Sequence, residues 1–252
     1  MEEIHTILAY PTSPKIVQNK ESFPFSVDST ILSFFAEIKS KTGRIIDLGS
    51  GTGIIPLTLS LMTKLPIDAV EIQSNLCDLL NKSISLNHLE NQITVLNEDI
   101  KDIHKKIGHS KYGLILSNPP YFKVNKESLI NKFESKSISR HEVLITMEDI
   151  IKEASILLKD GGSFTMVQST DRLLETIELL SKYRLYPKRL RFVYSKKNQD
   201  SYIFLLDASK NVSKDGLKIY EPLYIYDESG EYSKEILSYY HFKEENEENK
   251  WI

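Results

Sequence analysis

The sequence predicts an α/β fold in which helices cover both faces of a mostly parallel sheet. Two observations favour this class: short apolar runs alternate with segments of helical periodicity, and a glycine-rich turn follows the first run. The composition agrees, because 40% hydrophobic and 27% charged residues are typical of globular proteins and exclude a disordered or fibrous chain. The single cysteine, Cys77, excludes an internal disulfide and a zinc site built from paired cysteines.

Five segments have the pattern of buried parallel strands, which are short apolar runs that end in turns. They are residues 44–48, 66–72, 93–96, 112–117 and 163–168. Because strands that alternate with helices build parallel sheets, these five segments predict the centre of the sheet.

Four segments between or after these strands have apolar residues at helical spacing. They are residues 54–64, 74–88, 148–158 and 171–182. Gly161 and Gly162 are expected to stop the third helix. Residues 190–194 and 202–206 flank a polar turn and predict an antiparallel hairpin at one edge of the sheet.

The chain divides into a core and two short extensions. The core is expected over residues 28–207, with extensions over 1–27 and 208–252, the second ending in a polar acidic tail. Residues 123–139 are polar and rich in lysine and serine, so they predict a mobile loop that closes over the substrate.

The location is expected to be the cytoplasm. Glu2 and Glu3 stand where a signal peptide needs positive charge. No apolar stretch reaches the ~18 residues that a membrane helix requires. We therefore expect a cytoplasmic protein without a membrane partner, and we take it to be a monomer.

The charge pattern favours a polyanionic partner that is bound at one place. The net charge is only −3, but residues 182–197 carry seven cationic side chains and no acidic one. The seven are Lys182, Arg184, Lys188, Arg189, Arg191, Lys196 and Lys197. A local basic segment on an acidic background suits a nucleic-acid backbone. The alternative for any charge run is a solvated face without a partner.

A glycine-rich turn over residues 47–53 follows the first core strand and reads DLGSGTG. Such a turn needs residues without a Cβ, and glycine also lets a ligand lie against the backbone. A dinucleotide fingerprint would place another glycine where this sequence has Ile54. The turn, with Asp47 leading it, instead resembles the first motif of S-adenosylmethionine-dependent methyltransferases.

Two acids follow the next two strands at the same edge of the predicted sheet. Glu71 comes 22 residues after Gly49, and a carboxylate there can accept both hydroxyls of a ribose. Asp99 follows the third strand and can accept the adenine amino group, with the Ile100 backbone nearby. The alternatives are an exposed acid for Glu71 and a helix cap for Asp99.

The third signal is the tetrapeptide Asn118-Pro119-Pro120-Tyr121, directly after the fourth strand. The two prolines restrict the backbone, so the Pro119 carbonyl is held without a large entropy cost on binding. Together with the Asn118 side-chain oxygen, it offers two acceptors to one amino group. Tyr121 offers a flat ring to a planar substrate.

The glycine turn and the tetrapeptide together resemble the class I amino-methyltransferases, which act on exocyclic or amide nitrogens. Further segments resemble one bacterial family within that class, the tRNA1(Val) (adenine(37)-N6)-methyltransferases. These segments are residues 23–28, 140–142, 187–191 and 221–226. The resemblance covers nearly the whole chain except the polar tail after about Ser238.

The resemblance implies a Rossmann-like fold with a seven-stranded sheet, an antiparallel edge hairpin and S-adenosylmethionine bound across the strand ends. Gly49 and Gly51 would face the methionine part, Glu71 the ribose and Asp99 the adenine. The further cofactor-binding residues would be Asp47, Ser50, Ile72, Ile100 and Asn118. No metal is expected, because the six histidines show no paired ligand spacing.

The implied reaction is methyl transfer to N6 of an adenine in tRNA, next to the anticodon. The catalytic residues would be Asn118, Pro119, Pro120 and Tyr121. The RNA-binding residues would be Tyr121, Lys123, Lys126, Lys188, Arg189, Arg191, Lys196 and Lys197. Arg140 and His141 are expected either to function in the site or to anchor the loop before them.

Three other functions stay open at this point. A glutamine methyltransferase acting on a translation factor uses the same tetrapeptide, because an amide presents the same NH2 group. A ribosomal RNA guanine-N2 methyltransferase tends to replace the tyrosine. A non-catalytic RNA-binding scaffold is disfavoured, because both the glycine turn and the tetrapeptide are intact.

Overall fold

The computed structural model describes residues 2–9, 13–19, 27–121 and 145–242. Eleven strands form within these ranges: β1 (Glu2–Thr6), β2 (Lys15–Asn19), β3 (Ile45–Leu48), β4 (Ile67–Glu71), β5 (Ile93–Asn97), β6 (Tyr112–Ser117), β7 (Leu158–Ser169), β8 (Leu185–Tyr194), β9 (Ser201–Lys210), β10 (Lys218–Ile219) and β11 (Leu223–Tyr224). The helices are α1 (Val27–Phe35), α2 (Ile54–Met62), α3 (Ser74–Leu86), α4 (His104–Ile107), α5 (Met147–Leu157), α6 (Leu173–Lys182) and α7 (Lys234–Tyr240), with a short 3₁₀ turn at Thr170–Arg172.

One nine-stranded sheet forms the centre of the molecule. Its order is β10-β8-β9-β7-β6-β3-β4-β5, and β11 also pairs with β8. The strands from β3 to β7 are parallel, while β9 is antiparallel to both β7 and β8. The predicted α/β class and edge hairpin are therefore confirmed.

The sheet has two more strands than the seven expected. The expected seven are β3 to β9, and β10 and β11 extend the edge by pairing with β8. Each added strand has only two residues. A run of two residues is too short to show a period, so the pattern of apolar residues does not reveal it.

Both faces of the sheet are buried under helices. Ile45 and Ile46 are neighbours on β3 and point to opposite faces, as alternation along a strand requires. Ile45 belongs to a core cluster with Leu32 of α1 and Leu57 of α2. Ile46 belongs to a second cluster with Ile151 of α5.

The two glycines expected to stop a helix have a different role. Helix α5 ends at Leu157, and Leu158 is already extended with φ −68° and ψ 142°. Gly161 and Gly162 lie inside β7, where the pairing with β6 shifts from Tyr112↔Leu158 to Leu114↔Ser163. Gly161 has φ +75° in this bulge. The expectation was wrong because pairing to a neighbouring strand, not local sequence, ends this helix.

The extensions pack onto the core by ordinary contacts. The β1–β2 hairpin contacts α3, where the Val17 amide donates to Ser83 Oγ at 2.9 Å. Helix α7 contacts α1 through a stacked pair, Phe34 and Tyr239, with ring centroids 4.7 Å apart. No helix in the described ranges is long and apolar enough to cross a membrane. The domain boundaries at 27/28 and 207/208 stay predictions.

Candidate active site

The glycine turn and the tetrapeptide leave neighbouring strands at one edge of the sheet. Strands β3 and β6 pair in parallel, with Asp47 opposite Leu116. The Ser117 hydroxyl donates to the Leu48 carbonyl at 2.8 Å and ties the two strand ends together. Because both turns begin at the carboxyl ends of adjacent parallel strands, they frame one candidate site.

The Asp47 carboxyl group lies beneath the glycine turn. Its side chain is fully buried, and neither carboxylate oxygen has a hydrogen-bond partner within the described part of the chain. Burial raises the pKa of this carboxyl from its ordinary 3.8 to about 7, with a further contribution from the charge of Glu71. A buried carboxylate without a partner is costly, so a cationic ligand at this turn would compensate for it.

Two glycines of the turn serve different purposes. Gly51 has φ +55°, and a Cβ added to it would meet no atom within 4 Å, so its open side can face a ligand. Gly53 has φ +95°, and a Cβ there would lie 2.1 Å from Leu80 Cδ1 on α3. Gly51 therefore keeps space free at the site, whereas Gly53 lets α2 pack against α3.

Glu71 at the end of β4 reaches back to the glycine turn. Its Oε2 accepts from the Gly51 amide at 2.9 Å, and its Oε1 accepts from the Gln73 amide at the same distance. The side chain is only 6% exposed, which excludes the alternative of a simply exposed acid. The two backbone donors hold the carboxylate at the turn, while its predicted contact with a ribose stays a prediction.

The other predicted cofactor-binding residues surround the same strand ends. Asp99 is exposed, and its Oδ1 accepts from the Lys101 amide at 2.9 Å, so it does cap the following turn. Ile100 is 8% exposed, and its Cδ1 lies 3.9 Å from the place of a Cβ on Gly49. The Ile72 carbonyl accepts from the Asn97 side chain at 2.9 Å. Ser50 Oγ donates to the Asp47 carbonyl at 3.1 Å.

The tetrapeptide is held by its side chains as well as by its prolines. Asn118 Nδ2 donates to Ser29 Oγ at 2.9 Å, and Tyr121 Oη donates to Asp28 Oδ2 at 2.6 Å. Burial raises the pKa of the Tyr121 hydroxyl far above its usual value, and the charge of Asp28 raises it further. Pro119 is buried and Pro120 is exposed.

Asp28 and Ser29 contact the tetrapeptide, and the sequence pattern assigned a role to neither of them. Asp28 closes the segment 23–28 that carries the family resemblance, but nothing in the pattern gives it a role. The contacts join residues that are 89 and 93 positions apart, so they exist only in the folded chain.

The methyltransferase small domain model matches residues 26–194, which span the glycine turn, Glu71 and the tetrapeptide. The chain belongs to the methyltransferase small domain family. A curated relative from Bacteroides thetaiotaomicron, named tRNA1(Val) (adenine(37)-N6)-methyltransferase, is 30% identical over 181 residues, which are 71% of this chain and 73% of the relative. The resemblance predicted from the motifs is thereby confirmed.

Solved structures show the same fold. A predicted O-methyltransferase from Agrobacterium tumefaciens superposes with a TM-score of 0.65 at 18% identity, covering 85% of this chain and 95% of that one. A Thermus thermophilus 16S rRNA N2 G1207 methyltransferase, solved with AdoMet and guanosine, superposes with a TM-score of 0.57 at 17% identity. The match covers 84% of this chain and 51% of that one.

The residues of this methyltransferase fit S-adenosylmethionine, the cofactor that the family implies. The ligand carries an ammonium and a sulfonium, and the Asp47 carboxylate, which has no partner among the residues described, lies beneath the turn that would receive it. Gly51 leaves open space, and Glu71 presents a carboxylate beside it. A ligand with two cationic groups requires acids and open space beside the backbone, and the turn supplies both.

Alanine substitutions in the turn should separate packing from ligand binding. Gly53→Ala should lower the free energy of unfolding by about 1–3 kcal/mol or more, because its Cβ would overlap the Leu80 side chain. Gly51→Ala, with a positive φ but free space, should cost only about 1–2 kcal/mol. Urea denaturation measures both, and calorimetric titration with S-adenosylmethionine should show the larger loss of binding for Gly51→Ala. Equal stability of the two variants would contradict this division of roles.

The basic segment over residues 182–197 does not form one patch. Strand β8 runs parallel to β7, so its carboxyl end lies at the same sheet edge as Asn118. Lys196 and Lys197 follow β8 and lie at that edge. Lys182 precedes β8 and lies at the opposite edge. Strand direction therefore divides charges that are adjacent in sequence.

Several of these cations are also paired within the protein. Arg191 makes two contacts with Glu235, at 2.5 and 2.8 Å. Arg189 lies 3.4 Å from Asp207. Lys188 donates to two backbone carbonyls, those of Ser213 and Asp215, both at 2.5 Å, and Lys182 pairs with Glu148 at 2.6 Å. The sheet edge that holds Asn118 carries Lys196 and Lys197, of which Lys197 lies 3.5 Å from Glu228. RNA contacts by Lys188, Arg189, Arg191, Lys196 and Lys197 stay predictions.

Some predicted features lie outside the described residues. They are Lys123, Lys126, Arg140, His141, the loop over 123–139, residues 23–26 and the tail from 243 onward. The roles assigned to them stay predictions.

Three side chains that could hold a metal ion lie close together, although their spacing in the sequence did not indicate such a group. Ligand atoms of Asp102, His104 and Glu153 lie within 4.8 Å of one another. His104 Nδ1 is 2.8 Å from Glu153 Oε2, and Lys105 Nζ is 2.9 Å from Asp102 Oδ2. Because Glu153 comes from α5 and the others precede or begin α4, only tertiary structure assembles the group.

Proposed function

We propose that this methyltransferase transfers a methyl group from S-adenosylmethionine to the exocyclic N6 of an adenine in tRNA, at adenosine 37 beside the anticodon. The observation that carries the proposal is the tetrapeptide Asn118–Tyr121 at a strand end that is tied to the glycine turn by the Ser117–Leu48 hydrogen bond. The name of the Bacteroides relative supports the same substrate. We also propose that the protein is a monomer and that it is located in the cytoplasm.

The tetrapeptide orients the amino group that receives the methyl. The Asn118 side-chain oxygen and the Pro119 carbonyl accept its two hydrogens. An adenine amino nitrogen is a poor nucleophile, because its lone pair is delocalised into the ring. Two acceptors favour a tetrahedral nitrogen and so free that lone pair. S-adenosylmethionine supplies a methyl on a positively charged sulfur, so the chain's main contribution is alignment.

No residue has to act as a strong base. The methylated nitrogen is acidic until it loses its proton, so water can remove it. The Tyr121 hydroxyl is unsuited to that task, because its raised pKa keeps it protonated and it donates its hydrogen bond to Asp28. Its ring is the useful part. A base must leave the stack to reach the pocket, at a cost of a few kcal/mol, and stacking on an aromatic ring returns about 1–3 kcal/mol.

The decisive experiment is incubation with labelled S-adenosylmethionine and unmodified total tRNA, followed by nucleoside mass spectrometry. We expect N6-methyladenosine, and mapping should place it at position 37. Parallel reactions with ribosomal RNA and with a translation factor test the two alternative methyltransferase functions. Label in N2-methylguanosine or in protein would overturn the proposal.

Charge reversal at the site edge should weaken tRNA binding. Lys196→Glu/Lys197→Glu should lower affinity and flatten its dependence on salt, because fewer counterions are released on binding. The matched control is Lys41→Glu/Lys64→Glu, which makes the same charge change near the amino ends of β3 and β4, at the opposite edge. Binding measured by fluorescence anisotropy at several salt concentrations checks this. An equal loss in both double variants would mean that only net charge matters.

A further inference from the structure

The first turn of α1 contacts both polar side chains of the tetrapeptide. Ser29 Oγ accepts from Asn118 Nδ2 at 2.9 Å, and Asp28 Oδ2 accepts from Tyr121 Oη at 2.6 Å. Two consecutive helix residues thus contact the first and the last residue of the tetrapeptide. The prolines between them restrict the backbone but leave these side chains free to rotate, so the helix supplies the missing restraint.

Ser29 determines which end of the Asn118 amide faces outward. A side-chain amide has a donor end and an acceptor end. With its nitrogen held by Ser29, the acceptor oxygen is the end left for a substrate amino group. Rotation of the amide would place a donor there, and a donor repels NH2. The Ser29–Asn118 bond therefore selects the only orientation that suits the proposed reaction.

Asp28 holds the Tyr121 ring through its hydroxyl. Asp28 also interacts with Tyr202 at the start of β9, where, after the larger effect of burial, its charge raises the pKa of the phenol. One carboxylate thus links the end of β6 to the start of β9. The Tyr121 hydroxyl bond to Asp28 restrains the ring, and a phenylalanine in its place would lack that restraint.

Helix α1 is itself well anchored. Ile31 and Leu32 are buried in the core, and Phe34 stacks on Tyr239 with an interplanar angle of 9°. Glu235 on the same α7 forms the ion pair with Arg191 of β8. A support that cannot shift is what precise orientation of a small amide requires.

We propose that Asp28 and Ser29 are positioning residues of the methyl-transfer site: Ser29 orients the Asn118 amide, and Asp28 orients the Tyr121 ring. The inference rests on the proposed function only for the identity of the substrate. The orientation of the two side chains is independent of which NH2 group enters.

Alanine at Ser29 gives the first test. Ser29→Ala should lower kcat about tenfold, which corresponds to the free energy of one hydrogen bond. The affinity for S-adenosylmethionine and the melting temperature should change little. Added to Asn118→Ala, Ser29→Ala should lower kcat no further. The matched control is Ser33→Ala, one turn along, which removes a hydroxyl that donates to the Ser29 carbonyl at 2.8 Å. Loss of kcat in both serine variants, or an additive effect with Asn118→Ala, would assign Ser29 a merely structural role.

A second set of combined substitutions tests Asp28. Asp28→Ala should raise KM for the RNA as much as Tyr121→Phe/Tyr202→Phe does, and combining all three changes should add nothing. Asp28→Asn keeps an acceptor oxygen and should restore most of the affinity. Full additivity would overturn the role of Asp28.

A spectroscopic measurement keeps these tests independent of the substrate. In the ¹⁵N spectrum of the full chain, the Asn118 side-chain NH2 signals are identified by their loss in Asn118→Ala. We expect them to shift and to exchange faster with water in Ser29→Ala but not in Ser33→Ala. Unchanged signals in Ser29→Ala would overturn the positioning role. Absence of methylated tRNA with the expected signal change would overturn only the proposed substrate.

Discussion

Replacement of Asp47 by asparagine is expected to stabilise the free protein at pH 8 and to weaken S-adenosylmethionine binding at the same time. The carboxylate is fully buried and has no hydrogen-bond partner among the described residues, so its charge is costly until a cation lies near it. Asparagine has the same shape without the charge. A bound sulfonium and ammonium would lose the attraction, and affinity should fall at least about tenfold.

The stability gain should depend on pH in a defined direction. The pKa of Asp47 is raised to about 7 in the folded protein. Between about pH 4 and pH 7 the folded chain keeps a proton that the unfolded chain has lost, so stability from this group is complete below pH 4 and is lost as pH rises through 7. The loss at pH 8 is on the order of 4 kcal/mol, at about 1.4 kcal/mol for each pKa unit.

Urea denaturation of the wild type and of Asp47→Asn at pH 5 and pH 8 checks this. The variant should be more stable than the wild type at pH 8, and the difference should shrink towards pH 5. Wild-type affinity for S-adenosylmethionine should also fall about tenfold from pH 8 to pH 6, because the ionised form is depleted. A stability difference that is the same at both pH values would contradict the assigned ionisation.

Alanine at Asn118 should lower the rate of transfer by at least ~100-fold, about 2.7 kcal/mol in the barrier, as the loss of one positioned hydrogen-bonding group does elsewhere. Affinity for S-adenosylmethionine should stay within a few fold, since the amide acts on the amino group of the substrate. Single-turnover kinetics with labelled cofactor and tRNA measure the rate, and calorimetry measures the affinity.

The matched control is Asn87→Ala. Asn87 also makes side-chain hydrogen bonds, to the Lys15 and Ser83 carbonyls, but it joins α3 to β2 away from the tetrapeptide. This variant should lose some stability and keep its turnover. If Asn118→Ala transfers methyl at the wild-type rate, the role assigned to the tetrapeptide is wrong.

Much of the fold follows from local patterns. The run before Gly49 is apolar because β3 is covered on both faces. The prolines at 119 and 120 mark a strand end because proline has no backbone N–H to donate. Local patterns did not predict the short strands β10 and β11 or the bulge at Gly161. Pairing with a neighbouring strand creates each of them, and that neighbour is distant in sequence.

The charge prediction shows the same limit. Seven cations within sixteen residues of sequence suggested one patch. The acids that pair with them, among them Glu148, Asp207 and Glu235, come from three other elements. A count along the chain cannot include partners that only folding brings near.

The sequence by itself determined the strands β3 to β9, four of the helices between them, the glycine turn and the rigid tetrapeptide, because each depends on the conformational limits of neighbouring residues. The tertiary structure decided that Asp47 is buried with no hydrogen-bond partner in the described part of the chain, that Glu71 bonds the turn, and that Asp28 and Ser29 hold the tetrapeptide. These features depend on burial and on contacts across strands or over about 90 residues of chain, and both arise only when the sheet and its helices assemble.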